Sequence, residues 1–131
     1  MVPRGARPHA LVSNADLAPT LLELAKAPVP PGLDGRSFGA ALRNPKAPGR
    51  EALLIEYASD TEFPRTRGMG YEAVRTDRWK YIRYRELTGM DELYDLSNDP
   101  HELRNLLPDR APPGVLSVLR RRLDALMAAP R

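Results

Sequence analysis

Apolar positions along this chain recur at two periods, and turn-forming residues break them often. Leu17, Leu21 and Leu24 lie three and four residues apart, which puts them on one face of a helix over 16–25 that needs a surface to cover. Ser13 or Asp16 can accept the free amide hydrogens at its start. Pro19 must then lie in the first turn or just after an opening 3₁₀ turn, because a proline deeper inside would remove a hydrogen bond. Near the other end Val115, Leu119, Leu123 and Leu126 repeat at helical spacing, while Arg120, Arg121, Arg122 and Asp124 fall elsewhere around the wheel. This second helix should lie across a sheet. The strands of that sheet are legible between the two helices. Residues 52–57 have the length and branched, apolar character of a buried strand. Residues 71–75 and 79–84 read as a hairpin closed by a tight turn at 76–78, and 92–96 as a further short strand. Residues 97–100 form a turn whose side chains can bond their own backbone, and 10–12 suit one more short strand.

The interruptions set the organisation. Pro3, Gly5 and Pro8 prevent regular structure at the start, and 28–37 is extended and ends in a turn, followed by a short helical turn at 38–42. The stretch 44–50, with Pro45, Pro48 and Gly49, is the best boundary in the chain. Residues 59–70 are polar and end in Arg67-Gly68-Met69-Gly70, which suggests a mobile or ligand-facing loop. With 131 residues, 42% of them hydrophobic, the chain can build one modest core. Its 14 Pro and 9 Gly are too many for a helical bundle and too dispersed for a low-complexity linker, so a mixed α and β domain fits best.

Composition narrows the chemistry. There is no cysteine, which excludes disulfides, thiolate metal sites and a cysteine nucleophile. Neither a signal peptide nor an apolar run near 18 residues is visible, so the expectation is a soluble chain without an export address of its own. Basic residues outnumber acidic ones by 20 to 17, and the signs are interleaved. Of the basic residues 17 are Arg, whose forks suit sulfate, phosphate and carboxylate, although GC-rich codon usage is the simpler cause of the excess. A pI of about 9.5 permits nucleic-acid binding, but no recognised motif supports it. His9 and His101 are far apart and each adjoins a proline, so nothing marks a Ser-His-Asp constellation. Asp95, Asp99 and Glu102 lack the spacing of a calcium loop and read as turn formers. Arg75, Arg78 and Lys80 read as cross-strand ion pairs before an anion site, and Trp79, Tyr81 and Tyr84 as packing before a stacking platform.

Three segments, in order, resemble the C-terminal third of the formylglycine-dependent sulfatases of the alkaline phosphatase superfamily. They are Asp-Leu-Ala-Pro-Thr-Leu-Leu-Glu-Leu-Ala at 16–25 with Leu-Asp-Gly-Arg-Ser at 33–37, Val-Arg-Thr-Asp-Arg-Trp-Lys-Tyr-Ile at 74–82, and Glu-Leu-Tyr-Asp-Leu-Ser-Asn-Asp-Pro-His-Glu-Leu-Arg-Asn-Leu at 92–106. The resemblance implies an α+β fold: a small antiparallel sheet of about four strands packed against a C-terminal helix, preceded by a helical arm left from a large α/β domain. On that basis residues 1–45 would be the tail of the large catalytic domain and 50–131 the small C-terminal domain.

The resemblance further implies sulfate ester hydrolysis in the intact enzyme, by a formylglycine made from Cys or Ser in Cys/Ser-x-Pro-x-Arg beside a divalent cation, calcium or magnesium. No proline here has Cys or Ser two places before it, and neither an Asp-His-Gly segment nor paired aspartates occur. The expectation is therefore an inactive fragment with no catalytic and no metal-binding residue. Its partners would be the missing N-terminal sulfatase domain and, in the intact enzyme, the sulfate ester, with no nucleic acid and no membrane. The leucine stripe would otherwise drive self-association. Arg65, Arg67 and Tyr71 are the candidates for touching substrate, since the small domain borders the cleft in such enzymes. The alternative reading is a stand-alone module binding sulfated glycans or other polyanions.

Overall fold

A computed structural model describes residues 4–5, 7–59 and 62–129 of the chain. Two compact units can be distinguished, one ending at Leu53 and one running from Leu54 to Ala129.

In the first unit a reciprocal capping box starts the helix. The Ser13 hydroxyl accepts from the Ala15 amide at 3.1 Å, and the Asp16 carboxylate accepts from the Ser13 amide at 2.7 Å, closing a 3₁₀ turn over Asn14–Asp16. Helix α1, Leu17–Leu24, follows with Pro19 in its first turn, as the sequence requires. The Asp16 side chain is only 1% exposed and ties three segments together. It accepts the Ser13 amide on one oxygen and, on the other, the Arg36 amide at 2.8 Å together with the Arg50 guanidinium. A short helix α2, Gly39–Arg43, packs on α1. Glu23 of α1 accepts from the Ser37 hydroxyl and, at 2.6 Å, from Arg43. A Cβ on Gly39 would stand 2.6 Å from the Glu23 carboxylate, so a larger residue there would displace the end of that side chain. The run 10–12 does not form the short strand expected of it: Leu11 makes a single antiparallel bridge to Arg50. With Pro8 behind it and Pro48 and Gly49 opposite, the ladder cannot extend.

The second unit is built on a four-stranded sheet in the order β1, Ala52–Tyr57; β2, Tyr71–Thr76; β3, Trp79–Tyr84; β4, Glu92–Asp95. β2 pairs antiparallel with β3, and β3 with β4. Alternation along the hairpin divides its side chains between two buried faces. Val74 lies opposite Tyr81, and Tyr81 opposite Leu93. All three are fully buried on the side where helix α3, Val115–Ala128, lies across β2 and β3 and contributes Leu119 and Leu123. On the other side Ala73, Ile82 and Tyr94 form a cluster packed by Ile55, Tyr71, Tyr84 and Leu96. The α+β architecture is thus the one the sequence implied.

One strand differs from expectation. β1 was expected to be buried, but only Leu53 of its six residues is, because β1 stands at the sheet edge with β2 as its one neighbour. At the opposite edge the chain shields β4. The Leu106 amide donates to the Leu93 carbonyl at 2.9 Å, and the Asn105 side chain accepts from Leu93 and Leu107 while donating to the Asp91 carbonyl.

The carboxylates after β4 serve the turn. Asp95 accepts both prongs of Arg78, at 3.1 and 2.8 Å, as well as the Asn98 side chain and the Ser97 amide. Asp99 accepts the amides of Leu103 and Arg104, and Glu102 takes Lys80 at 2.6 Å. Arg78 and Lys80 are therefore ion-paired to carboxylates on β4 and in the turn beyond it, while Arg75 stands opposite Lys80 across the hairpin.

The Arg78 hydrogen bonds, reinforced by Asn98, hold the Asp95 carboxyl at about 2, below the ordinary value of about 3.9. A depressed carboxyl stabilises the fold above its unfolded pKa and loses that contribution as pH falls through its folded pKa. Acid should therefore weaken the fold between roughly pH 4 and pH 2. Asp95→Asn should be less stable at neutral pH and show a flatter decline across that window, read from urea midpoints at stepped pH. Leu123→Ala, which hollows the seam beneath α3, should cost about 2 to 5 kcal/mol in the same unfolding assay.

Candidate functional site

β1 ends, β2 begins and β3 ends with tyrosines, and the register brings them together. Tyr71 lies directly opposite Tyr84. The rings of Tyr57 and Tyr71 stack with centroids 5.7 Å apart, and Tyr84 meets Tyr71 edge-on at 6.0 Å. Behind them the Glu92 carboxylate accepts two phenols, Tyr84 at 3.0 Å and Tyr94 at 2.6 Å. Burial first, and then donation to Glu92, push both phenols above their ordinary range, Tyr94 furthest.

The loop that enters β2 is closed on itself. The Gly68 amide donates to the Ser59 hydroxyl at 2.7 Å, drawing the described parts of the loop together. Within it, Pro64–Thr66 make a 3₁₀ turn in which the Thr66 amide and hydroxyl both donate to the Phe63 carbonyl, at 3.0 and 3.1 Å. The Met69 amide follows onto the Thr66 carbonyl at 3.2 Å, and the Arg85 amide of the chain leaving β3 holds the Gly70 carbonyl at 2.9 Å. A Cβ on Gly70 would come within 2.9 Å of the Glu86 carboxylate, whose end would have to move aside.

The three residues nominated from the sequence thus occupy two settings. Arg65 and Arg67 are exposed on the closed loop, whereas Tyr71 is half-buried in the aromatic stack at its foot. Two features were not nominated. Phe63 on the same loop is 65% exposed, and Glu92 is the shared acceptor for two tyrosines. Neither has a motif; only the three-dimensional path of the loop and the pairing of β4 disclose them.

Other polar groups hold structure together. On the α3 side the Tyr81 phenol donates to Asp91 at 2.6 Å and accepts from Arg120 at 3.2 Å, with the Arg120 guanidinium 5.7 Å from the ring centroid. Burial is the main reason that this phenol is pushed up, which leaves it a poor nucleophile and a good clamp between helix and hairpin. The first unit has a cavity of about 220 Å³ bordered by Asp16, Arg36, Phe38 and Arg50. Asp16 already neutralises Arg50 there. His101 and His9 are exposed. Among the described residues no three His, Cys, Asp or Glu side chains converge as a metal site, so the donor set does not fit a divalent cation. No helix among them is long and apolar enough to cross a membrane.

The family described as N-sulphoglucosamine sulphohydrolase, C-terminal, matches residues 1–129. Delta 4,5-hexuronate-2-O-sulfatase of Bacteroides thetaiotaomicron is 37% identical over 110 residues, covering 83% of this chain and 22% of its own. Arylsulfatase K of Gallus gallus is 36% identical over 113 residues, covering 74% of this chain and 19% of its own. A solved structure holding D-glucosamine-2-N,6-O-disulfate superposes on 96% of this chain and 26% of its own, with a TM-score of 0.83 and 25% identity. That of a 2-O GAG sulfatase covers 86% and 24%, with a TM-score of 0.70 and 34% identity. The chain therefore spans only about a fifth to a quarter of these relatives.

The Glu92 arrangement is open to direct test. Absorbance titration of the phenols should show Tyr84 and Tyr94 ionising later than an ordinary tyrosine. Glu92→Gln should bring both part of the way back towards roughly pH 10, and an unchanged titration curve in that variant would rule out the shared acceptor.

Proposed function

The chain belongs to the N-sulphoglucosamine sulphohydrolase C-terminal family, and on that premise we propose that it is the part of a sulfatase that packs against the catalytic domain and shapes one wall of its substrate cleft. In this reading residues 1–45 complete the large domain and residues 50–131 form the small one. The preceding domain carries the formylglycine and the calcium or magnesium ion of a sulfuric ester hydrolase. This chain has no cysteine and no Ser-x-Pro, and its described side chains assemble no cation site, so its own part in the reaction is to bind, orient and exclude water.

The observation that carries the proposal is the closed loop with its two exposed arginines, standing on the tyrosine stack of a unit matched by sulfatases. Arg65 and Arg67 offer guanidinium groups to an anionic ester, and Tyr71 supports the loop from below while its edge borders the substrate. The leucine stripe of α1 supports the same reading. Leu17, Leu21 and Leu24 are 51%, 64% and 47% exposed, a face suited to a partner sheet. The missing N-terminal domain is that partner, and self-association through the stripe is what the chain does without it. The stand-alone polyanion module is less well supported, since Arg43, Arg50, Arg78, Arg83, Arg85 and Arg120 are all engaged by carboxylates within the chain.

The full-length polypeptide that carries this chain should hydrolyse an aryl sulfate in the presence of calcium or magnesium, and residues 1–131 alone should not. Turnover by the isolated chain would overturn the reading. In the full-length protein Arg65→Ala and Arg67→Ala should each raise KM by roughly three- to tenfold with kcat little changed, the loss of one partly solvated ionic contact.

A further inference from the structure

The cavity of about 220 Å³ in the first unit has a lining of two kinds. Leu11, Phe38 and Pro48 contribute apolar surface, while Asp16, Arg36 and Arg50 contribute charge. The Asp16 carboxylate is already committed, since it accepts from the Ser13 amide, the Arg36 amide and the Arg50 guanidinium. Two arginines against one carboxylate leave the lining with one positive charge in excess. The arginines are held in different ways. Arg50 is anchored by its backbone bridge to Leu11, and its side chain is only 20% exposed. A guanidinium has five N–H donors, and among the described residues the one partner of this group is Asp16. No side-chain nitrogen sealed from solvent lacks a partner, so the remaining donors of Arg50 open onto free space. Arg36 is fixed through its main chain, whose amide donates to Asp16 at 2.8 Å. Its exposed guanidinium has no partner among the described residues.

We propose that this cavity is a binding site for a small organic monoanion, one carboxylate on a short apolar body. The carboxylate takes the free donors of Arg50 together with the Arg36 guanidinium, planar forks that match its two oxygens. The apolar body lies against Leu11, Phe38 and Pro48. A cation would add to the charge already in excess, and a bare inorganic anion would leave the apolar surface uncovered. Occupation would tie together residues 10–11, 36–38 and 48–50.

Calorimetric titration of the full-length protein with benzoate at low ionic strength tests the site. Wild type should bind benzoate with a Kd on the order of 1 mM. Benzamide, a neutral analogue of the same shape, should bind about tenfold more weakly. Arg36→Ala removes an unpartnered side chain and keeps the amide that Asp16 holds. It should therefore leave the urea midpoint of the free protein unchanged and weaken benzoate about tenfold. Ala40 is an exposed residue of α2 that borders the same cavity, so Ala40→Phe should block benzoate while both arginines stay in place. Saturating benzoate should raise the urea midpoint of wild type and leave that of Arg36→Ala where it was. Equal binding of benzoate by wild type and Arg36→Ala would overturn the site, as would equal binding of benzoate and benzamide by wild type. So would the lack of any binding up to about 10 mM benzoate. No part of this assay passes through sulfate ester hydrolysis, so its outcome is independent of the proposed reaction.

Discussion

Everything in the second unit depends on the register of one hairpin. Tyr71 opposite Tyr84 and Val74 opposite Tyr81 assign alternate side chains to two faces, and both faces are buried. Side chains alternate with a period of two, so a slip of one residue would carry Val74 and Tyr81 away from α3 and break the tyrosine stack in the same step. The same pairing fixes where the chain leaves the sheet. Arg85, one residue past β3, meets Gly70, one residue before β2, and so sets the root of the loop that bears Arg65, Arg67 and Phe63. Packing in the core and geometry at the surface thus rest on the same few backbone hydrogen bonds.

Electrostatics reinforces this arrangement without creating it. Glu72 accepts from Arg83 at 2.8 Å, Arg83 also reaches Asp124 on α3, and Arg85 returns to Glu72 at 2.8 Å. These pairs share a largely buried Glu72 but keep their arginines partly in solvent, and pairs open to water contribute about 0 to 1 kcal/mol each. Their value is in direction: they stitch β2, β3 and α3 at the margin of a seam that apolar burial has already closed. The Asp95 fork with Arg78 goes further, since its carboxylate has little exposure and four donors converge on it.

What the sequence disclosed follows from which forces are local. The hairpin was legible because 71–75 and 79–84 combine branched and aromatic residues around a tight turn at 76–78, and a helix start at Ser13 or Asp16 because capping is local, whereas the reciprocal box that joins the two is seen only in the fold. The leucine stripe of α1 was legible from spacing, but its exposure followed only from the family resemblance. The exposure of β1 was not, because an apolar run states a strand's composition and not its rank in the sheet. Nor was the attempted strand at 10–12, where the partner offers only Arg50. At the candidate site Arg65 and Arg67 could be nominated from charge and glycine content, but Tyr71 gave no sign that its ring would be enclosed by Tyr57 and Tyr84. Glu92 and Phe63 carry no local signal, since the role of each depends on contacts or exposure that the folded chain alone sets.

The first unit poses the sharper energetic question. Its polar framework is complete: Asp16, Glu23 and Thr20 join the caps, the turn at Arg36 and the short helix α2 with well-directed hydrogen bonds. Yet three of the four leucines of α1 are exposed. Full burial of one leucine contributes about 1.5 to 3 kcal/mol, and a neutral hydrogen bond about 0.5 to 1.5 kcal/mol net. Three half-exposed leucines therefore forgo a stabilisation comparable to several of the bonds that hold the framework. An eight-residue helix is also below the length at which propensity sustains it in water. The hydrogen bonds around Asp16 specify the shape of this arm, while the stripe of Leu17, Leu21 and Leu24 leaves unused the apolar burial that would add to it.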